Sequence, residues 1–350
     1  MTNDKGILIR NVYYMLSYAF SNLRKNNYED VAKEDFERIE DLFAEILYKG
    51  ISAQLKLGLY REYIHKTAEL PLLRGKLDIG QTIKLRVAQK NLLGCEFDEL
   101  SENNIFNQIL KTVAELLIYK SEVKAERKRQ LKNVLIFFEN VDSINPSEIK
   151  WNMLRFQNNN KSYRMLINIC YFVLDGMMLT TEQGRYRVAT FSDDHMNKLF
   201  ERFVLEYYKY HYKSLKVSSP TIKWDLSDED DCAIDFLPEM KSDIVISNEN
   251  HTLIIDTKYY SKTLQTNFDH KTIHSNNLYQ IFTYVKNKDV EKKGNVSGVL
   301  LYAKTQERVL PVMDAKFGGN RIMVKTLDLD KEFKDIEQQL NQIIVDFFPN

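Results

Sequence analysis

Lys241-Ser-Asp-Ile-Val-Ile-Ser247 and, after a short gap, Thr252-Leu-Ile-Ile-Asp-Thr-Lys-Tyr-Tyr260 read as two apolar strands with charged residues at their ends. Asp243 opens the first run, and Asp256 and Lys258 close the second. Side chains alternate along a strand, so Asp256 and Lys258, two positions apart, share a face. A tight hairpin through Ser247 to His251 brings Asp243 beside them. Two carboxylates and an ammonium then meet at the rim of a sheet. Close carboxylates repel one another, and a divalent cation removes that repulsion. A lysine alongside orients an attacking water or steadies a phosphoryl oxygen. The ordinary alternative is a surface hairpin with a salt bridge, because a lone Asp-x-Lys is found on many strand ends.

The neighbouring segments add to the pattern. Ser192 is placed to cap a long helix, with Asp193 and Asp194 in its first turn, where the helix dipole favours them. Met196, Leu199, Phe200, Phe203 and Tyr207 supply its core stripe. Glu201 and Glu206 lie on this helix about 140° apart, so at most one of them faces a given site. Downstream, Ser275-Asn-Asn-Leu-Tyr-Gln-Ile-Phe-Thr-Tyr-Val285 has helical spacing, with Leu278, Ile281, Phe282 and Val285 as its apolar stripe. Asn277, Gln280 and Tyr284 fall on the other side, where a solvated face is the plain expectation. Gly298-Val-Leu-Leu-Tyr-Ala303 reads as a buried strand. The order is helix, strand, strand, helix, strand.

That order, with Asp243, Asp256-Thr-Lys258 and Gln280-x-x-x-Tyr284, resembles the PD-(D/E)xK nuclease superfamily in its branch with a Q-x-x-x-Y helix. Arg10-Asn-Val-Tyr-Tyr-Met-Leu-Ser-Tyr-Ala-Phe20, Arg74-Gly-Lys-Leu-Asp78 and Phe97-Asp-Glu-Leu-Ser-Glu-Asn-Asn-Ile-Phe-Asn107 narrow it. With them the chain resembles, over essentially its whole length, the McrC family, the nuclease subunit of the modified-cytosine-dependent restriction system McrBC. The resemblance implies an α+β N-terminal domain followed by an α/β PD-(D/E)xK nuclease domain, a mixed sheet flanked by helices. It also implies that Asp243 and Asp256 bind Mg²⁺, joined by the backbone carbonyl of Thr257, and that Lys258 orients water and stabilises the transition state. Gln280 would support the site, and Glu201, favoured over Glu206, would be the further acidic residue. The implied reaction is endonucleolytic cleavage of double-stranded DNA with modified cytosine. The implied partner is an McrB-like AAA+ GTPase hexamer, which binds GTP and reads the modified base. No G-x-x-x-x-G-K-[ST] loop occurs in this chain, so GTP is expected on the partner.

Composition sets the remaining bounds. A chain of 350 residues is long enough for two cores, read as a docking domain over 1–188 and a nuclease domain over 189–350. Lys+Arg and Asp+Glu balance at 49 each, unlike the basic excess of a nuclease that finds DNA alone. Cys95, Cys170 and Cys232 are widely spaced and form no C-x-x-C pair, so neither a zinc ribbon nor a disulfide framework is supported. The polar opening and the lack of an apolar run near ~20 residues predict a cytoplasmic protein with no membrane segment. Residues 9–24, 34–57, 102–131 and 163–179 carry helical patterns, whereas 60–87 reads as a β-rich projection with turn residues Pro71 and Gly75. Arg74 and Lys76, flanking Gly75, are the candidate contacts to the partner's ring. Two other readings compete: a regulatory GTPase-activating subunit with a vestigial nuclease site, and a free-standing RecB-like repair nuclease.

Overall fold

The structure, a computed structural model, describes residues 3–4, 7–19, 36, 38–158, 160, 162–178, 193–226, 236–259, 264–267, 270–304 and 311–348. Two compact units emerge: Met1–Leu42 with Met178–Thr181 and Val188–Asn350, and Phe43–Met177 with Glu182–Arg187.

The first unit is built on a mixed six-stranded sheet. Helix α1 (Ile9–Ala19) and, in the second unit, α2 (Ile39–Leu57), β1 (Glu62–Leu70), β2 (Lys76–Asp78), α3 (Ile79–Val87), β3 (Leu93–Ser101), α4 (Ile105–Tyr119), α5 (Ala125–Leu135) and α6 (Tyr163–Met178) come first along the chain. Then follow α7 (Asp193–His211), β4 (Lys216–Ser218), β5 (Ile244–Ser247), β6 (Thr252–Lys258), α8 (Ser275–Lys288), β7 (Val296–Ala303), β8 (Met313–Phe317), β9 (Asn320–Leu327) and α9 (Phe333–Phe347). The sheet order is β8-β9-β7-β6-β5-β4. β5 and β6 form the expected antiparallel hairpin, whereas β6, β7 and β9 run parallel. Buried on both faces, these parallel strands are near-continuous apolar runs, as in Val299-Leu-Leu-Tyr-Ala303.

Helix α8 packs on this sheet through Ile281, Tyr284 and Val285. Gly298 makes the approach possible: a Cβ there would lie 2.8 Å from both Ile281 Cγ1 and Val285 Cγ2. Asn277 and Tyr284 are buried too, so the polar stripe of α8 faces protein and not solvent, while Phe282, expected in the core, is 38 % exposed. The reason lies in the polar groups that α8 meets on the sheet, described below. Helix α1 packs on α7, with Tyr18 against Phe203 and Tyr207, and Asn11 donates to the carbonyls of Leu329 and Lys331. The first helix therefore belongs to the C-terminal unit, and a boundary at 188 alone does not separate the two bodies.

In the second unit, β1, β3 and β2 form an antiparallel sheet in that order. The β-rich element expected over 60–87 is thus longer and mixed: it extends to Ser101, and 79–87 is helix α3. Asp78 explains the switch, because its side chain caps α3 by accepting from the Gln81 amide at 3.0 Å. Gly75 turns the chain at φ +71°, and a Cβ there would lie 2.3 Å from the Glu96 carbonyl oxygen. The helix expected over 102–131 is broken at Lys120–Lys124, where Ser121 turns its hydroxyl back onto the Leu117 carbonyl at 2.6 Å. Ser192, residues 20–24 and Cys232 lie outside the described residues, as do 34–35 of the helix expected to begin at 34, and α2 itself starts at Ile39.

Candidate active site

The hairpin register decides where the carboxylates meet. Ile255 pairs with Ile244, so one further step sets Asp256 opposite Asp243. The ladder between β5 and β6 stops there, and a side chain continues it: Asp243 Oδ2 accepts from the Thr257 amide at 2.7 Å and from the Thr257 hydroxyl at 2.8 Å. Thr257 is fully buried, so these two bonds fix Asp243 against the end of β6. The resemblance implied a backbone carbonyl from Thr257; in addition, its amide and hydroxyl hold Asp243.

Asp256 is also fully buried. Lys258 Nζ stands 2.8 Å from its Oδ2. The contact is an ion pair, and beyond Lys258 neither Asp256 oxygen has a hydrogen-bond partner among the described residues. Burial pushes this carboxyl up to about 7; Lys258 opposes the shift, and the negative charges of Asp243 and Glu201 add to it. A buried carboxylate whose one partner is an ammonium is costly for an isolated protein and suitable as a cation ligand.

Lys258 is held from its other side by α8. Its Nζ donates to Gln280 Oε1 at 3.1 Å, Gln280 Nε2 donates to the Tyr284 hydroxyl at 2.9 Å, and that hydroxyl donates to the Lys241 carbonyl at 3.0 Å. This chain of bonds is why the polar stripe of α8 is turned inward. A second buried contact lies alongside, from Asn277 Nδ2 to the Tyr302 hydroxyl at 3.0 Å. Tyr302 is the β7 residue paired with Lys258.

Helix α7 separates its two glutamates as the helical geometry requires. Glu206 pairs with Lys209 at 2.9 Å and is partly exposed. Glu201 faces the carboxylates: burial raises its pKa, and the charge of Asp243 raises it further, against the opposing charges of Lys241, Lys258 and Lys198. One turn earlier, Asn197 Oδ1 accepts from the Tyr259 amide at 2.9 Å. Nothing in the sequence pattern singled out Asn197, since an asparagine four residues before a glutamate has no distinctive signature.

Asp243, Asp256, Thr257, Lys258, Gln280 and Glu201 are therefore brought together at one end of β6. No three His, Cys, Asp or Glu side chains among the described residues converge closely enough to enclose a metal unaided. The donor set suits a hard cation that keeps several waters, which is how Mg²⁺ is commonly held. Arg74 and Lys76 belong to the second unit. Arg74 stacks on the Phe97 ring at 4.0 Å and pairs with Glu99 at 3.3 Å, and Lys76 lies 3.6 Å from Glu96. Both cations are thus engaged within their own sheet.

Comparison with known proteins adds the family. Residues 3–303 match the model of the McrBC 5-methylcytosine restriction system component. The chain is 25 % identical over 343 residues to the type IV methyl-directed restriction enzyme EcoKMcrBC of Escherichia coli (strain K12), covering 97 % of this chain and 98 % of that protein. Among solved structures it is similar to the refined half-complex of Thermococcus gammatolerans McrB AAA+ hexamers with bound McrC. The TM-score is 0.54 at 17 % identity, with 96 % of this chain and 76 % of the other covered, a likeness of fold.

Proposed function

Because the chain belongs to the McrBC 5-methylcytosine restriction system component family, we propose that it is the DNA-cleaving subunit of such a system. In this reading the first unit is a PD-(D/E)xK endodeoxyribonuclease dependent on Mg²⁺, and an AAA+ GTPase hexamer supplies the GTP-driven work. The observation that carries the reading is the buried Asp256 carboxylate, which has no hydrogen-bond partner beyond its Lys258 ion pair among the described residues and stands beside Asp243.

Each side chain has a task in phosphodiester hydrolysis. Asp256 and Asp243 would hold Mg²⁺; Thr257 occupies Asp243 Oδ2, which leaves Oδ1 for the ion. When bound, the ion supplies positive charge that activates water and offsets charge on the departing 3′ oxygen. Lys258, steered by Gln280, presents its ammonium where it orients the attacking water and stabilises the phosphoryl oxygens. Tyr284 keeps the Gln280 amide in the orientation that offers its oxygen, not its nitrogen, to Lys258. Glu201 would supply a further carboxylate at the edge of the site, close enough to feel the charge of Asp243.

The second unit is proposed to dock on the partner hexamer and to stimulate its GTPase. Exposed apolar side chains on its β-rich element support this: Leu72, Leu73, Ile79, Ile83 and Val87 face solvent on the same element that carries Arg74 and Lys76. An element that exposes several large apolar side chains is a candidate contact surface. Neutralising Arg74 and Lys76 together tests their part in it, and an unchanged GTPase stimulation would remove them from the interface.

The deciding experiment is cleavage of methylated plasmid DNA with Mg²⁺, GTP and the cognate AAA+ partner, comparing wild type with Asp256→Ala while the GTPase rate is recorded. Cleavage lost with GTPase stimulation kept is the expected result. Equal cleavage by both proteins would place the nuclease centre elsewhere.

A further inference from the structure

Strand β6 outruns its neighbour. Its ladder with β5 ends at the Ile255–Ile244 pair, yet β6 continues through Asp256, Thr257 and Lys258. Amide groups two apart on a strand point toward the same edge, so the Thr257 and Tyr259 amides both look toward the side that β5 has left. Each is met there by a side chain. Asp243 takes the Thr257 amide, and Asn197 of α7 takes the Tyr259 amide. Tyr259 is 2 % exposed, so the Asn197 oxygen satisfies a buried amide donor. Lys258 sits between these two side-chain anchors, while β7 pairs with it on the opposite edge.

We infer that Asn197 is a positioning residue for the cleavage reaction, a role that rests on the nuclease reading of the site: by capping the Tyr259 amide it fixes the backbone from which Lys258 reaches Asp256 and Gln280. Asn197 and Glu201 lie one turn apart on the same helix, so the Asn197 bond ties the carboxylate-bearing face of α7 to the end of β6. Loss of the bond lets the end of β6 move away from α7 and lengthens the Lys258–Gln280 and Lys258–Asp256 contacts. Asn197 touches neither scissile phosphate nor cation in this role. Its effect falls on turnover and leaves substrate binding alone.

The test compares wild type, Asn197→Ala and Asn197→Asp in the complete complex with its AAA+ partner, with Asp256→Ala as the inactive control. Asn197→Asp keeps an oxygen acceptor for the Tyr259 amide. Two readouts are taken: cleavage kinetics, and hydrogen exchange of individual amides in the full-length chain. Asn197→Ala should lower kcat about 10- to 100-fold, the range for outer-shell partners of a metal site, with KM unchanged. It should deprotect the Tyr259 amide while the Leu300 amide of β7 stays protected. Asn197→Asp should restore protection at Tyr259 and most of kcat. An Asn197→Ala enzyme that cleaves within twofold of wild type, or an Asn197→Asp enzyme no better than Asn197→Ala, overturns the role. Wild-type protein that fails to cleave where Asp256→Ala also fails overturns the nuclease reading instead, and the exchange data still show whether Asn197 secures β6.

Discussion

Replacing Asp256 by asparagine should make the metal-free protein more stable, by an amount that grows with pH. Burial raises the Asp256 carboxyl from 3.8 to about 7, beyond what Lys258 offsets. A group whose folded pKa lies above its unfolded value binds more protons when folded, so it costs stability as pH rises from the unfolded pKa to the folded one. A shift of roughly three units at about 1.4 kcal/mol each is roughly 4 kcal/mol, spent in keeping the carboxylate ionised above pH 7. Asparagine is close in shape and has no such cost. Denaturant unfolding in EDTA should therefore show Asp256→Asn and wild type nearly equal near pH 4, with the variant ahead by up to about 4 kcal/mol at pH 8. Mg²⁺ should narrow the gap by stabilising wild type alone, because an ion that binds only the folded state adds to its stability. A pH-independent difference, or wild type the more stable at pH 8 without metal, would refute the claim that this carboxylate is held at the expense of the fold.

Other expectations follow from the same geometry. Gln280→Ala removes the acceptor that steers Lys258 and should lower kcat about 10- to 100-fold, whereas Tyr284→Phe, which only loosens Gln280, should lower it less; single-turnover cleavage compares them. Asp289, buried, accepts from Asn320 Nδ2 and the Lys293 and Gly294 amides, and these bonds outweigh burial and hold its pKa below the usual value. Its contribution is present at neutral pH and lost as pH falls through the folded pKa, so the deficit of Asp289→Asn, about 1–3 kcal/mol at pH 7, should shrink in acid unfolding curves. Gly75→Ala combines a positive φ with a Cβ 2.3 Å from a carbonyl oxygen and should destabilise the β1–β3–β2 sheet by upwards of about 1–2 kcal/mol, seen as faster proteolysis of that element.

The hairpin and the helix after it were readable because their signals are local. Alternation put Asp256 and Lys258 on one face, the apolar runs bounded β5 and β6, and helical spacing found α8. What stayed hidden depends on contacts distant in sequence. Asn277, Gln280 and Tyr284 look like a wet helix face until Lys258, Tyr302 and the Lys241 carbonyl are brought against them. Phe282 has the spacing of a core residue but lies at the margin of the stripe, beside Phe317. The placement of α1 with the C-terminal unit could not be read either, since its amphipathic pattern says that one face is buried and not against what. The β-rich element was seen through its turn residues and under-measured, because Asp78 starts a helix inside it and the strand that completes the sheet follows that helix.

The connection between β5 and β6 bears on how this lineage tolerates insertions and deletions. Asn248 closes it locally, with its side chain accepting from the Asn250 and His251 amides and its own amide donating to the His251 carbonyl. Extra residues placed between Asn248 and His251 would lengthen a solvent-facing loop and leave the strand pairing as it is. A single residue gained or lost within either strand would reverse the facing of every side chain beyond it and part Asp243 from Asp256. Length variation among related chains should accordingly collect in the loop, with the count of residues from Asp243 to Ser247 and from Thr252 to Lys258 held constant.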